Sequence, residues 1–321
     1  MLPVRLRVGP ECAGMRADAF VSRELPGLSR TRVRQKIQTG EALLNGRRFA
    51  TSTRLREGDE ILVPVRSSAP AAGTALSCPQ LTVLFEDDHL LAVDKPAGIA
   101  THPMGKMQAG TVIHFARQRL ATEIRERLRH GDADWFPRPV NRLDVFTSGV
   151  VVLALTRDAQ KAMQGLLLAR SVRKEYLALV QGVVRQDSFD VDLPLGFDPT
   201  STIRVKMAGV PGGRPSLTHV RVLKRMARHT LVLAVPETGR QHQVRVHLAS
   251  IGHPVVGDLL YKDESLFLRY QAADGKLDGS LPRRHCLHAS LVEFTHPVTG
   301  APVRIKSELP GDFAEMIADV E

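Results

Sequence analysis

Residues 67–80 read SSAPAAGTALSCPQ, fourteen positions without a charge and rich in Ser, Ala, Pro and Gly. A segment of this composition has too little bulky apolar surface to bury and reads as a linker. It divides the 321 residues into a small unit, 1–66, and a large unit, 81–321. Each must close a core of its own. Hydrophobic residues make up 43% of the chain, enough for packed cores and too many for wholesale disorder.

In the large unit, strand-like runs follow one another with few helices between them. Strands are expected at Thr82–Glu86, Leu90–Val93, Gly149–Thr156, Glu175–Gln181, Thr218–Lys224 and Thr230–Pro236. Helices are expected at Arg157–Ala169, capped by Thr156, and at His242–Ile251, with Val244, Leu248 and Ile251 on one face. Consecutive strands without crossover helices predict an α+β fold with a largely antiparallel mixed sheet, since a doubly wound parallel sheet needs a helix after nearly every strand.

The small unit holds 13 Lys and Arg against 7 Asp and Glu, a net of +6 out of the whole chain's +10. A basic excess of this kind suits a polyanion such as nucleic acid. Within LSRTRVRQKIQTGEALLNG a short helix is expected, with Ser29 as N-cap and Gly40 as its stop. Val33 and Ile37 would face the core, while Arg30 and Arg34 form a second four-spaced pair and Lys36 flanks the apolar stripe. A strand at Ala42–Leu44, the Asn45-Gly46 turn and a strand at Glu60–Val65 complete the unit. Over about residues 13–65 this order resembles the small α/β, ribosomal-protein-type module that precedes the catalytic part of many RNA-modifying enzymes. The resemblance implies that Arg30, Arg34 and Lys36 contact RNA.

Two segments of the large unit concentrate chemistry. In PVNRLDVFTSG (139–149), Asp144 stands between Arg142 and a Thr-Ser-Gly turn at the threshold of an apolar strand. A carboxylate there can cap the turn or face a substrate. In ETGRQHQVRVHL (237–248), followed by IGHPVVGD and Tyr261, Arg240, His242, Arg245 and His247 crowd a strand-to-helix junction. Helix N-termini attract anions. A metal-dependent nuclease built on the histidines is disfavoured because no carboxylate cluster accompanies them.

Together with FEDDHLLAVDKPAGIATHP (85–103), SVRKEYLALVQG (171–182) and RPSLTHVRVL (214–223), these segments resemble the RluA-type RNA pseudouridine synthase family, in order and over nearly all of 81–305. The resemblance implies isomerisation of uridine to pseudouridine in structured RNA. It points to ribosomal large-subunit RNA as the substrate, with transfer RNA the other candidate. It matches Asp144 to the catalytic aspartate, Arg142 to the arginine that opens the RNA, Tyr176 to the aromatic residue under the uracil, and Arg245 to the basic partner of the aspartate. Lys95, Arg240 and His242 fall in matched segments as substrate-contacting residues. Two departures stand out: Asn141 where the family usually has His, and Val145-Phe146 where it usually has a charged pair. They leave a non-catalytic RNA-binding assembly factor as the other reading.

The isomerisation neither gains nor loses atoms, and no Gly-rich phosphate loop is present, so no cofactor is expected. Cys12, Cys78 and Cys286 are far apart and form no metal knuckle or disulfide framework, so no metal is expected either. No run reaches the roughly 18 apolar residues of a membrane span, nor does the N-terminus carry a signal-peptide segment. A cytoplasmic monomer is the resulting expectation.

Overall fold

The structure, a computed structural model, describes every residue except 1, 26–29, 66–79, 105–108, 131, 133, 274–281 and 321, and leaves undescribed the side chains of 2, 3, 30, 31, 65 and 128. The expected cap Ser29, the side chain of Arg30, and the linker apart from Gln80 therefore lie outside the described residues. The chain forms two compact units, Met1–Ser77 and Cys78–Glu321.

The first unit runs β1 (Leu2–Arg7), a 3-10 turn (Pro10–Cys12), α1 (Ala17–Glu24), α2 (Arg30–Gln38), β2 (Leu43–Leu44) and β3 (Glu60–Val65). Its antiparallel sheet has the order β1-β3-β2. Val33 and Ile37 of α2 are buried with Phe20, Val21, Ile61 and Val63, as their four-residue spacing requires. Gly40 follows α2 at φ +76° and stops it. Asn45 and Gly46 both have positive φ, and Leu44 and Arg47 exchange backbone hydrogen bonds, which makes a two-residue hairpin.

The second unit continues with β4 (Thr82–Glu86), β5 (Leu90–Lys95), α3 (Val112–Arg119), α4 (Ala121–Arg129), β6 (Arg138–Pro139), β7 (Ser148–Ala154), α5 (Arg157–Leu168) and β8 (Arg173–Gln181). After these come β9 (Ser188–Asp192), β10 (Leu195–Phe197), β11 (Met207–Gly209), β12 (Leu217–Arg225), β13 (His229–Pro236), α6 (Gln243–Ser250) and α7 (Glu264–Ala272). β14 (Leu287–Thr295), β15 (Pro302–Lys306) and α8 (Gly311–Ala318) close the chain. Ten strands form one sheet with the path β4-β5-β7-β14-β8-β13-β12-β9, with β15 paired to β14 and β6 to β7. β10 and β11 form a separate ribbon. Every pairing in the large sheet is antiparallel except β7 with β14, so the unit is α+β with a mixed, mostly antiparallel sheet.

β7 is buried along its whole length because it lies inside the sheet with both faces covered. Val151 and Leu153 face α3, α4 and Trp135, while Val150, Val152 and Ala154 face α5. A second core lies where α6 and Phe313 of α8 cover β8 and β13. Thr156 caps α5 by accepting from the Ala159 N–H. α6 corrects one expectation: Ile251 does not share the buried face of Val244 and Leu248. The helix ends at Ser250, and Ile251 lies half in solvent beyond its last turn.

Candidate active site

Asp144 lies in the turn between β6 and β7, and the fold grips that turn from three sides. Lys95, fully buried at the end of β5, gives its three ammonium N–H bonds to the carbonyls of Pro96 (2.9 Å), Ile99 (2.7 Å) and Val145 (3.0 Å). The Thr101 hydroxyl accepts from the Leu143 N–H and contacts its carbonyl, both at 3.2 Å. The Gly98 N–H donates to Val145 O, and the Thr147 N–H turns back to Asp144 O. Burial draws the Lys95 amine down to about 7, and the charge of Asp144 opposes that shift. Lys95 thus acts on the turn's backbone, not as a surface cation.

Gly149 makes the exit from the turn possible. It sits at φ +112°, and a Cβ there would lie 2.1 Å from the carbonyl oxygen of Ala289, its partner in the parallel β7–β14 pairing. Only glycine combines that dihedral with so close an approach.

Arg245 comes from the first turn of α6. Its Nη1 donates to Asp144 Oδ2 at 2.7 Å, while Nε and Nη2 hold the two oxygens of Asp258 at 2.6 and 2.9 Å. Asp258 Oδ1 also accepts from the backbone N–H groups of Leu260 and Tyr261. A bidentate pair fixes the plane of the guanidinium, so the arginine reaches Asp144 in one orientation. The guanidinium also lies over the Tyr261 ring, 4.9 Å from its centroid. The side chain of Arg245 is 8% exposed and that of Asp144 29%, so the ion pair opens to solvent on the aspartate side only.

Burial works to raise the pKa of Asp144, but facing charge on His242, Arg245 and His285 and the hydrogen bond from Arg245 outweigh it and hold the group at about 2. Burial keeps His242 at about 4 and His285 at about 3, so both are neutral at pH 7 and Arg245 supplies the positive charge there. For Arg245 itself, burial disfavours the cation, and Asp258 together with Asp144 more than restores it. The site at neutral pH is a partly open carboxylate backed by a closed guanidinium.

Tyr176 stands on β8 where the two helix-covered cores meet, packed against both. Burial, and then the Asp144 charge, push its phenol upward, so it stays protonated. Arg142, next to the turn, is exposed and, among the described residues, makes no ion pair or hydrogen bond. Arg240 donates through Nε to Pro215 O at 3.2 Å and lies near the like charges of Arg214 and Arg170. His242 faces Asp144 with Nε2 3.9 Å from Oδ1. In the first unit, Arg34 pairs with the buried Asp18 at 2.8 Å, and Lys36 with Glu41 at 2.7 Å.

Several members of the site had no assigned role in the sequence. Asp258 and Tyr261 stand 13 and 16 positions beyond Arg245 with nothing local to mark them as its partners. Gln243 fixes the 238–242 turn: its carbonyl oxygen accepts from Thr238 Oγ1 and the Arg240 N–H, and its amide donates to Leu217 O and Thr218 Oγ1. His285 shares a 2.7 Å hydrogen bond with Thr147. Both departures in the 141–149 segment have structural accounts. Asn141 donates to Val150 O and accepts from the Val152 N–H, pairing with the edge of β7 as backbone would. Phe146 packs edge-on to Tyr270 of α7 and to His285. Among the described residues no cluster of three His, Cys, Asp or Glu could hold a metal, and no helix is long and apolar enough to cross a membrane.

Residues 89–250 match the family model described as RNA pseudouridylate synthase. The chain belongs to that family. Among the relatives of this synthase, a ribosomal large subunit pseudouridine synthase D of Xanthomonas campestris pv. campestris is 37% identical over 98% of this chain and 92% of its own. One of the same name from Nitrosomonas europaea is 36% identical over 98% and 87%. Among solved structures, human RNA pseudouridylate synthase domain containing 1 superposes with a TM-score of 0.53 at 27% identity, covering 73% of this synthase and 85% of that chain.

Proposed function

We propose that this synthase converts uridine to pseudouridine in ribosomal large-subunit RNA, with Asp144 as the attacking group. One observation carries the assignment to Asp144: its carboxylate is ionised, partly open, and held in one direction by a buried arginine that is itself fixed by a second aspartate. A carboxylate kept charged and aimed suits nucleophilic attack on the nucleotide. Tyr176 offers an apolar face on which a uracil can lie and a protonated hydroxyl near the carboxylate. The large-subunit substrate is supported by the names of relatives that align with nearly the whole chain.

A base stacked in a helix is out of reach, so the target must be extruded, at a cost of roughly a few kcal/mol. Arg142, exposed and unpaired beside the turn, fills the vacated space. Arg240 grips neighbouring phosphates, as do Arg30, Arg34 and Lys36 of the first unit, which position the RNA more than they specify it. The synthase works in the cytoplasm as a monomer and needs neither metal nor cofactor.

Tritium release from uracil carbon 5 tests the chemistry, using RNA from cells that lack the gene. Release that Asp144→Asn abolishes supports the assignment, and release that survives the substitution rejects it. Mapping pseudouridines in large-subunit and transfer RNA, with and without the gene, tests the substrate: a site lost only from transfer RNA would overturn the ribosomal reading.

A further inference from the structure

We propose that His242 donates a hydrogen bond from its Nε2–H to the uracil of the target nucleotide and so stabilises the charge that the base acquires when its bond to the ribose breaks. The inference rests on Asp144 being the attacking group, and three observations on other atoms carry it.

His242 has φ +56° and ψ 15°, in the left-handed region, at the N-cap of α6. Its carbonyl accepts the first bond of the helix, from the Val246 N–H, but its side chain makes no capping bond and is left free to face elsewhere. The backbone turns the imidazole toward Asp144. A non-glycine residue held there is kept by its surroundings, and such residues gather at functional sites.

Hydrogen-bond accounting then favours one tautomer. The Tyr261 hydroxyl accepts from the Met207 N–H at 3.0 Å. Its own hydrogen goes to His242 Nδ1 at 2.7 Å, the remaining partner of that hydroxyl among the described residues. With Nδ1 accepting, the buried hydroxyl hydrogen keeps a partner, and in that arrangement the ring hydrogen sits on Nε2. Burial keeps the ring neutral at pH 7. A charged ring would form an ion pair with Asp144 and quench it, whereas a neutral one leaves the carboxylate free.

Finally, Nε2–H faces Asp144 Oδ1 across 3.9 Å, too far for a hydrogen bond. Arg245 holds the other oxygen, Oδ2, at 2.7 Å. A free carboxylate oxygen and a free N–H thus flank one opening, where a nucleotide attacked by Asp144 must present its reacting atoms. When the C1′–N1 bond breaks, its electron pair goes to the uracil, whose negative charge spreads over N1 and the two carbonyl oxygens. An Asp144 oxygen bonds C1′ as N1 leaves; when C5 then bonds to C1′ with a pair from the uracil, the Asp144–C1′ bond breaks and its pair returns to the carboxylate, the C5 proton leaves to solvent and N1 takes one up. His242 keeps its proton throughout and acts as a fixed dipole aimed at the developing charge.

The test measures single-turnover tritium release and RNA affinity separately, using the full chain and large-subunit RNA from cells that lack the gene. His242→Ala should lower the rate constant about 10²-fold with affinity little changed, the loss typical of removing one such donor. His242→Gln, whose amide N–H reaches the position of Nε2–H, should recover much of that loss. Tyr261→Phe, which frees the tautomer, should slow the step while retaining RNA binding. An unchanged rate constant in His242→Ala, a loss confined to affinity, or a Gln variant no better than Ala would overturn the proposal. Release that survives Asp144→Asn would instead reject the reading beneath it, and this inference with it.

Discussion

Arg245 and Asp144 lie 101 positions apart in the chain, yet the Nη1 of one donates to the Oδ2 of the other at 2.7 Å. Because the arginine is buried and the aspartate partly open, each has a different consequence when removed. Asp144→Asn keeps the volume and leaves Arg245 on Asp258. Tritium release should fall at least about 10³-fold, as when a residue acting only in the transition state is lost. Unfolding stability at pH 7 should fall by about 1.5–3 kcal/mol, the range for a hydrogen bond to a charged group, with the protein still folded. Assaying both in the same preparation separates chemistry from folding.

Substituting the guanidinium should be costly for the fold as well. Arg245→Met leaves Asp258 buried and ionised without a counter-charge, which destabilises by roughly 3–5 kcal/mol. Asp258→Asn is milder for the fold, but it releases Arg245 from its plane and should lower the rate without touching Asp144. Denaturant melts and single-turnover rates on the two variants check this order.

The carboxylates also set an acid limit. Asp144 sits at about 2 against an ordinary 3.8, and Asp258 is likewise held below its ordinary value, the pull of Arg245 outweighing burial. Because both folded values are depressed, their contribution to stability is complete above about pH 4 and is lost as pH falls toward 2. Thermal melts from pH 7 down to 2 should show a decline that begins near pH 6.5, where the buried His242 and His285 would charge if exposed, and steepens below about pH 4 as the carboxylates protonate. In Asp144→Asn the decline should be shallower.

Gly149→Ala probes the turn's exit. The added Cβ meets the Ala289 carbonyl at 2.1 Å, on a backbone at φ +112° that alanine resists. Neither clash can relax without parting β7 from β14, so a loss of at least about 3 kcal/mol is expected. A melting temperature within a few degrees of the parent would contradict this account.

Lys95→Met should loosen the Asp144 turn from behind. Three carbonyls lose their donor at once, and Val145 is among them. Hydrogen bonds to charged groups contribute about 1.5–3 kcal/mol each, partly offset here by relieving the buried amine. A net loss of roughly 3 kcal/mol, with slower tritium release and unchanged RNA affinity, is the expected result.

Local pattern and tertiary closure divided the determination of this protein. The continuous apolar run at 150–155 reads as a strand because a strand buried on both faces needs no polar side. Thr156 reads as a cap because a hydroxyl there satisfies the free Ala159 N–H of the first helical turn. The hairpin at Asn45-Gly46 follows in the same way from residues that tolerate positive φ. Other elements were not legible. β14 supplies the one parallel pairing in the large sheet, and its partner is set by the sheet, not by its own residues. β10 and β11 are too short to carry a period. Ile251 fits the helical spacing of Val244 and Leu248, but the helix ends one residue before it.

The sequence grouped Asp144, Tyr176 and Arg245 only through motifs that resemble a known family, and the structure brings Arg245 to 2.7 Å from Asp144. Only the tertiary structure decided that Asp258 fixes Arg245, that Tyr261 bonds to His242, and that Lys95 serves the backbone behind Asp144. The reason is physical. Propensity and periodicity act over a few neighbouring residues, whereas the state of a buried charge is set by whichever groups the folded chain brings within a few ångströms of it.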